Sequence, residues 1–245
     1  MNDSQDAFGH ALLDELEGRS AFEVIERSDG RLDVSNPVAV YFNGYADWGP
    51  LGQKAIDLAR GRVLDIGCGA GRFTLHVQGS GLDVVAIDWS PLAVEVARRR
   101  GVRDARVLSI TGINGRLGPF DTVLMMGNNF GLFGNAGRAK SLLRRLWRIT
   151  NPGAQIIAQT LDPYQTNDST HLEYQASNRR KHRMGGQIRM RVRYQCRKTP
   201  WFDYLFVSVD ELTDLIRGTG WVLAEVLGWN GPIYVARLER SSAHG

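Results

Sequence analysis

The chain has 245 residues, two cysteines and a formal net charge of +4. That length suits one domain with an elaboration and a full hydrophobic core, and the charge is too small to single out a nucleic-acid or membrane partner by itself. Cys68 and Cys196 make no disulfide framework, the acidic start from Met1 to Glu17 lacks the basic head and apolar run of a secretory signal, and no stretch approaches the roughly 18 apolar residues of a spanning helix. The expectation is a soluble, cytoplasmic protein without a metal site, as a monomer or homodimer.

Residues 1–35 are polar with scattered apolar positions (Leu12, Leu13, Leu16, Phe22, Ile25), a spacing that suits one or two amphipathic helices. Tyr41 to Trp48 is aromatic and turn-rich, and residues 50–59 read as a helix ending near Gly61. A regular alternation follows. Strands are expected at Arg62–Ile66, Asp83–Ile87, Ala105–Ile110, Asp121–Met126 and Gln155–Thr160. Helices are expected at residues 71–78, at Pro91–Arg100 with Ser90 as N-cap, and at Ala136–Thr150, the last followed by a turn at Asn151-Pro152-Gly153. Such βα units imply a parallel sheet covered on both faces.

The alternation breaks between Leu161 and Ser208. Ile188, Met190, Val192, Tyr194 and Cys196 alternate with Arg189, Arg191, Arg193, Gln195 and Arg197. A period of two is a strand with one apolar and one basic face. Trp201–Val207 can pair back with it, so the segment reads as an inserted helix plus hairpin. Val209–Arg217 is then a helix, and Trp221–Leu227 and Ile233–Leu238 form a closing hairpin about Asn230-Gly231-Pro232.

Val63-Leu64-Asp65-Ile66-Gly67-Cys68-Gly69-Ala70-Gly71 is a strand running straight into spaced glycines and a helix. Glycines let the backbone approach a ligand closely, and a helix N-terminus favours negative charge. A dinucleotide loop wants Gly-x-Gly-x-x-Gly, but the sixth position here is Arg72. Asp65, an acid just before the loop, would repel a pyrophosphate and suits a ligand with a positively charged amino group. Asp88 closes the next strand, where a carboxylate can accept two hydroxyl hydrogen bonds from a ribose diol, and Trp89 can pack on a base. The diol logic is shared with dehydrogenases.

On these residues, with Ile87-Asp88-Trp89-Ser90, Phe120-Asp121-Thr122-Val123-Leu124 and Asn151-Pro152-Gly153, residues 61–160 resemble class I S-adenosylmethionine-dependent methyltransferases of the small-molecule type. The C-terminal strand pair is similar as well. The resemblance implies a Rossmann-like α/β fold with a seven-stranded, mostly parallel sheet and an antiparallel last strand. It implies S-adenosyl-L-methionine as cofactor and S-adenosyl-L-homocysteine as product. Asp65 and Gly67 would lie at the methionine moiety, Asp88 at the ribose, and Trp89 and Ile110 near the adenine, with Cys68, Gly69, Met126 and Tyr41 completing the cofactor set. Cys68 reads as a small loop residue. Many members place an acid after the third strand, whereas this chain has Leu108-Ser109-Ile110-Thr111.

The end of the fourth strand, Met126-Gly127-Asn128-Asn129-Phe130, lacks the Asp/Asn-Pro-Pro-Tyr/Phe element of adenine and amide methylating enzymes. Gly127-Asn128-Asn129 resembles what small-molecule enzymes of the glycine N-methyltransferase type carry there. Asn128, Asn129, Tyr45 and Tyr164 are the candidate acceptor-binding residues, and His171, His182 and Tyr164 the candidate general bases. The chain then divides into an aromatic lid segment (1–50), the core (51–161 and 208–240) and a basic cap (162–207). A small-molecule acceptor methylated on N, O or S is expected. The alternatives are an RNA acceptor reached through the arginine-rich strand 187–197, and a non-methylating S-adenosylmethionine-binding protein.

Overall fold

The computed structural model describes residues 1–228 and 231–241, less the side chains of residues 35 and 36. In chain order its elements are α1 (Ala7–Leu16), β1 (Phe22–Arg27), β2 (Leu32–Pro37), α2 (Gly49–Ile56), β3 (Val63–Ile66), α3 (Arg72–Gly79), β4 (Val84–Asp88) and α4 (Pro91–Arg99). There follow β5 (Ala105–Val107), β6 (Phe120–Met125), α5 (Ala136–Arg148), β7 (Thr150–Leu161) and α6 (Ser169–Arg180). The chain ends with β8 (Gln187–Tyr194), β9 (Arg197–Lys198), β10 (Phe202–Leu205), α7 (Val209–Ile216), β11 (Trp221–Leu227) and β12 (Ile233–Arg240).

Seven strands form the main sheet in the order β11-β12-β7-β6-β3-β4-β5. The strands from β3 to β7 are mutually parallel, and β12 runs antiparallel to both neighbours. The central strands β3 and β4 are buried along their whole length, as continuous apolar runs with helices on both faces require. The expected Rossmann-like architecture is therefore present, with its antiparallel last strand. Ser90 caps α4, its hydroxyl accepting from the Ala93 amide at 2.9 Å.

A second sheet, in the order β10-β8-β1-β2 with β9 on β8, lies outside this frame. It joins the two ends of the chain's sequence logic. Strands β1 and β2 come from the N-terminal region, and β8 to β10 from the segment between β7 and α7. Ile25 faces Val192 and Arg27 faces Met190 across the β1–β8 pair.

Three expectations need correction. Residues 22–37 form a hairpin rather than a second helix. Its turn is Asp29-Gly30, with Gly30 left-handed at φ +92°. The third strand stops at Val107, because β5 is an edge strand paired only to β4 and Ser109 caps a 3-10 turn at Ile110–Gly112. Asn151-Pro152-Gly153 is no turn: it lies inside β7, where the register with β6 shifts and Asn151 donates to Asp121 at 2.8 Å. Asn230 of the expected closing turn lies outside the described residues.

Candidate active site

At the carboxyl ends of β3, β4 and β6 the two sheets enclose a cavity of about 840 Å³. Its floor is the glycine loop. Gly67, Gly69 and Gly71 all take left-handed φ values, +75°, +52° and +78°. A Cβ on Gly67 would stand 2.7 Å from Asn129 Nδ2, so the loop has no room for a side chain there. Gly69 instead faces the cavity, and the nearest atoms to a Cβ there would be the Phe8 ring at 3.6 Å.

Asp88 lines this floor and is 5 % exposed. One carboxylate oxygen accepts the Gly69 amide at 3.0 Å and the other the Ser90 amide at 2.9 Å. Each oxygen keeps a lone pair for a further donor. Burial pushes its carboxyl up to about 6, although the backbone donors of Ser90 and Gly69 oppose the shift. Trp89, Leu108 and Ile110 form an apolar wall beside it.

Asp65 sits differently from expectation. Its carboxylate is buried behind the loop, off the cavity lining, and accepts the Thr74 hydroxyl of α3 at 2.5 Å. The reason is its place inside β3, one residue before the chain turns into the loop. Burial raises this carboxyl too, to about 6, against the Thr74 hydrogen bond. Asp65 thus ties the end of β3 to α3 and does not line the cavity.

Gly67, Cys68, Gly69, Asp88, Trp89, Ile110, Met126 and Tyr41 all line the cavity, so this part of the candidate set converges. Burial pushes the Cys68 thiol well up, which keeps it protonated and fits a packing residue. Asn129 lines the cavity, but its amide is spent on the Ile66 and Gly67 carbonyls at 3.0 and 2.8 Å. Asn128 is left-handed at φ +65°, and its buried Oδ1 has no hydrogen-bond partner. That orphaned acceptor lies on the cavity wall, where a ligand donor would satisfy it.

The remaining candidates scatter. Tyr45 donates to Asp57 at 2.7 Å and stacks on His76 at 4.6 Å, and it does not line the cavity. Its 3-10 turn packs against α2 and α3, not over the site. Tyr164 donates to Glu211 at 2.5 Å, which braces the start of α7. His182 is exposed in a left-handed turn, and neither it nor Tyr164 lines the cavity. Of the candidate bases only His171, in the first turn of α6, reaches the lining.

Several lining residues were missed from sequence. Strand β1 supplies Glu23, Ile25 and Arg27, β8 supplies Ile188, Met190 and Val192, and β10 supplies Phe202 and Tyr204. The Asp29-Gly30 pair was the signal that would have found the first group. Arg72, set aside only as a missing glycine, also lines the cavity and donates to the Val40 carbonyl at 2.6 Å.

The basic face of β8 is occupied. Arg191 binds Glu26 through two hydrogen bonds of 2.7 and 2.8 Å, Arg193 reaches the same carboxylate at 3.2 Å, and Arg189 lies 3.4 Å from Asp203. Among the described residues no helix is long and apolar enough to cross a membrane, and no cluster of metal-ligating side chains occurs.

A family model for a methyltransferase domain matches residues 63–153. A ubiquinone biosynthesis O-methyltransferase of Xanthomonas oryzae pv. oryzae is 33% identical over 113 residues, 44% of this chain and 46% of that protein. A demethylmenaquinone methyltransferase of Renibacterium salmoninarum is 31% identical over 149 residues, 58% of this chain and 61% of that one. The chain thus spans about half the length of the curated relatives it matches. A solved S-adenosylmethionine-dependent methyltransferase of Bacteroides fragilis, in complex with S-adenosyl-L-homocysteine, superposes with a TM-score of 0.84 at 27% identity, over 98% of this chain and 97% of that one. The glycine loop, the order of the seven strands and a likeness running the length of the Bacteroides chain together give this chain the Rossmann-like fold of the class I S-adenosylmethionine-dependent methyltransferases, and residues 63–153 match a methyltransferase domain.

Proposed function

We propose that this chain transfers the methyl group of S-adenosylmethionine to N, O or S of a small molecule held between the two sheets. The observation that carries the reading is Asp88 on the cavity floor, beside three left-handed glycines, with lone pairs left on both carboxylate oxygens. The residues present fit the donor. Bare backbone at Gly69 admits a close ligand, Asp88 suits a ribose diol, and Trp89, Leu108 and Ile110 suit a flat base. A cavity of about 840 Å³ is large enough for the donor and a second small molecule.

S-adenosylmethionine supplies an already activated methyl carbon, so the protein need mainly align an acceptor with it. The chain's own residues do this in two halves. The glycine loop, Asp88 and Trp89 hold the donor. Residues 1–50 and 162–207 act as a lid and cap: they bring β1, β8 and β10 over the loop, and their apolar inner residues keep water from the reacting centre. The family model ends at residue 153, before β8 begins, so the acceptor wall lies outside the stretch it matches. The quinone-related acceptors in the relatives' names are thus not carried over to this chain.

The carboxylate partners of Arg189, Arg191 and Arg193 on the same sheet favour the small-molecule reading over the RNA alternative. A thermal-shift series with S-adenosylhomocysteine and NAD tests the donor half. Stabilisation that grows with S-adenosylhomocysteine concentration is expected, and a shift with NAD alone would overturn the reading. Mass spectrometry of a metabolite pool incubated with labelled donor tests transfer, with a label confined to the donor counting against it.

A further inference from the structure

One side of the cavity is a row of aromatic rings. Phe202 and Tyr204 of β10, Phe206 just beyond it and Trp89 after β4 all line the cavity. Trp89 meets Phe202 at a centroid distance of 5.7 Å, Phe202 meets Tyr204 at 6.4 Å, and Tyr204 meets Phe206 at 5.4 Å. Each contact is edge to face, so neighbours in the row do not stack on one another. Leu205, between Tyr204 and Phe206, is off the lining and buried in the main core. The strand's alternation thus puts an aliphatic chain in the core and leaves three half-buried rings on the cavity. On the paired strand Met190 faces Phe202 and Ile188 faces Tyr204, and both line the cavity as well.

The Tyr204 ring is fixed from two directions. Its hydroxyl donates to the Asn128 carbonyl at 2.7 Å, and the ring lies so close to Gly131 that a Cβ there would collide with it. A ring set in place before a ligand arrives lowers the ordering cost of binding. A wall that only excluded water could be aliphatic, as the β8 side is. Rings add an edge-and-face preference that favours another flat ring. The polar feature beside the row is Asn128 itself. It lines the cavity, and its buried Oδ1 has no hydrogen-bond partner. A buried acceptor in that state is costly until a donor reaches it. The Tyr204–Asn128 hydrogen bond joins the ring row to this oxygen, so one ligand can meet both. Trp89 also belongs to the apolar wall beside Asp88, so the row begins at the donor half and leads away from it along β10.

Building on the methyl-transfer reading above, we propose that the acceptor is a flat aromatic ring system carrying a hydrogen-bond donor, a hydroxyl or an amino group. The ring lies against Phe202, Tyr204 and Phe206, with Ile188 and Met190 at its border. Its O–H or N–H donates to Asn128 Oδ1 and so fixes how the ring is turned in the cavity. The aromatic residues select for flatness, and Asn128 selects for the donor.

Two probes with the same fused carbon skeleton and the same hydroxyl test this: 2-naphthol, which is flat, and decahydro-2-naphthol, which is puckered. Their dissociation constants are measured by calorimetry on the full chain saturated with S-adenosylhomocysteine. In the parent protein 2-naphthol is expected to bind at least tenfold more tightly. Phe202→Leu combined with Phe206→Leu keeps the wall apolar and is expected to bring the ratio below threefold, with S-adenosylhomocysteine affinity held within threefold. If the double variant does not fold, Phe206→Leu alone is expected to shrink the ratio threefold or more. Asn128→Gly suits the left-handed φ of +65° and removes the side-chain amide. It is expected to weaken both probes about fivefold and to keep their ratio. The proposal is overturned if 2-naphthol shows no binding or no preference in the parent protein, or if the preference survives the double variant or is untouched by Phe206→Leu. Unchanged affinity of both probes in Asn128→Gly also overturns it, by leaving the ring without its hydrogen bond. So does a tenfold loss of S-adenosylhomocysteine affinity in the leucine variants, which would give these rings to the donor. Failure of the methyl-transfer reading is separate: the parent protein would then show no S-adenosylhomocysteine binding at all.

Discussion

Asn129, just past β6, donates its side-chain amide to Gly67 O at 2.8 Å and to Ile66 O at 3.0 Å, so the end of one strand fixes the loop after another. Asn129→Ala removes both donors from part-buried carbonyls. The expected cost is about 1–3 kcal/mol of stability, read by denaturant unfolding, with a loss of about tenfold in S-adenosylhomocysteine affinity by calorimetry, a factor that corresponds to ~1.4 kcal/mol. Unchanged affinity would mean that the glycine torsions hold the loop unaided.

Asp88 sets a pH dependence. Burial raises its carboxyl from 3.8 to about 6, so it is ionised only above that range. Ribose hydroxyls donate to the ionised form. S-adenosylhomocysteine affinity is therefore expected to be flat above neutrality and to fall as pH drops through about 6. Asp88→Asn flattens that bend, while Asp65, raised by burial to a similar value, leaves a residue of it. The ligand-free fold responds with the opposite sign. Between 3.8 and about 6 the native carboxyl holds a proton that the unfolded chain has released, so this group makes stability fall as pH rises through that window. Titration calorimetry across pH and thermal melts without ligand read the two effects separately. A pH-independent affinity would remove Asp88 from the binding surface.

Gly131 tests the acceptor half without touching the loop. A Cβ there would stand 2.0 Å from the Tyr204 ring, so Gly131→Ala must displace the side chain that bonds the Asn128 carbonyl. Overpacking of this kind costs roughly 1–3 kcal/mol. Methyl transfer is expected to fall much further than S-adenosylhomocysteine binding. Equal losses in both would show that the two halves of the cavity do not act independently.

The triple replacement of Arg189, Arg191 and Arg193 by Ala reads the arginine-rich strand. Their engagement by Glu26 and Asp203 predicts a lower melting temperature and no change in heparin retention. Salt-sensitive RNA binding by the parent protein, lost in the variant, would restore the nucleic-acid reading.

The core was legible because its signals are local. Buried parallel strands read as apolar runs, glycine spacing fixed the loop, and Ser90 announced its helix. The second sheet was half legible. The arginine alternation revealed β8, yet β1 passed for a helix because its pattern is inverted: Phe22 points to solvent, while Glu23 and Arg27 point inward to a polar-edged cavity. Alternation only reports the buried face when that face is apolar. The site divided along the same line. Donor-side residues follow from backbone requirements at Gly67, Gly69 and Asp88. Tyr45 and Tyr164 are candidates by their place in the aromatic N-terminal segment and just after the fifth strand, and the tertiary structure spends them on Asp57 and Glu211.

The pairing of β1 with β8 also sets an order of events during synthesis. Glu26 and Arg191, bonded across that pair, are 165 residues apart in the chain. At ribosomal speeds β1 waits on the order of ten seconds for its partner. The strands from β3 to β7 are all synthesised within that interval. The β8 and β10 side of the cavity is thus synthesised well after the glycine loop, and the β1–β8 pairing carries a long loop-closure cost. Truncations that stop before residue 187 should therefore yield a nascent donor-binding half with an unpaired hairpin, a natural target for chaperones.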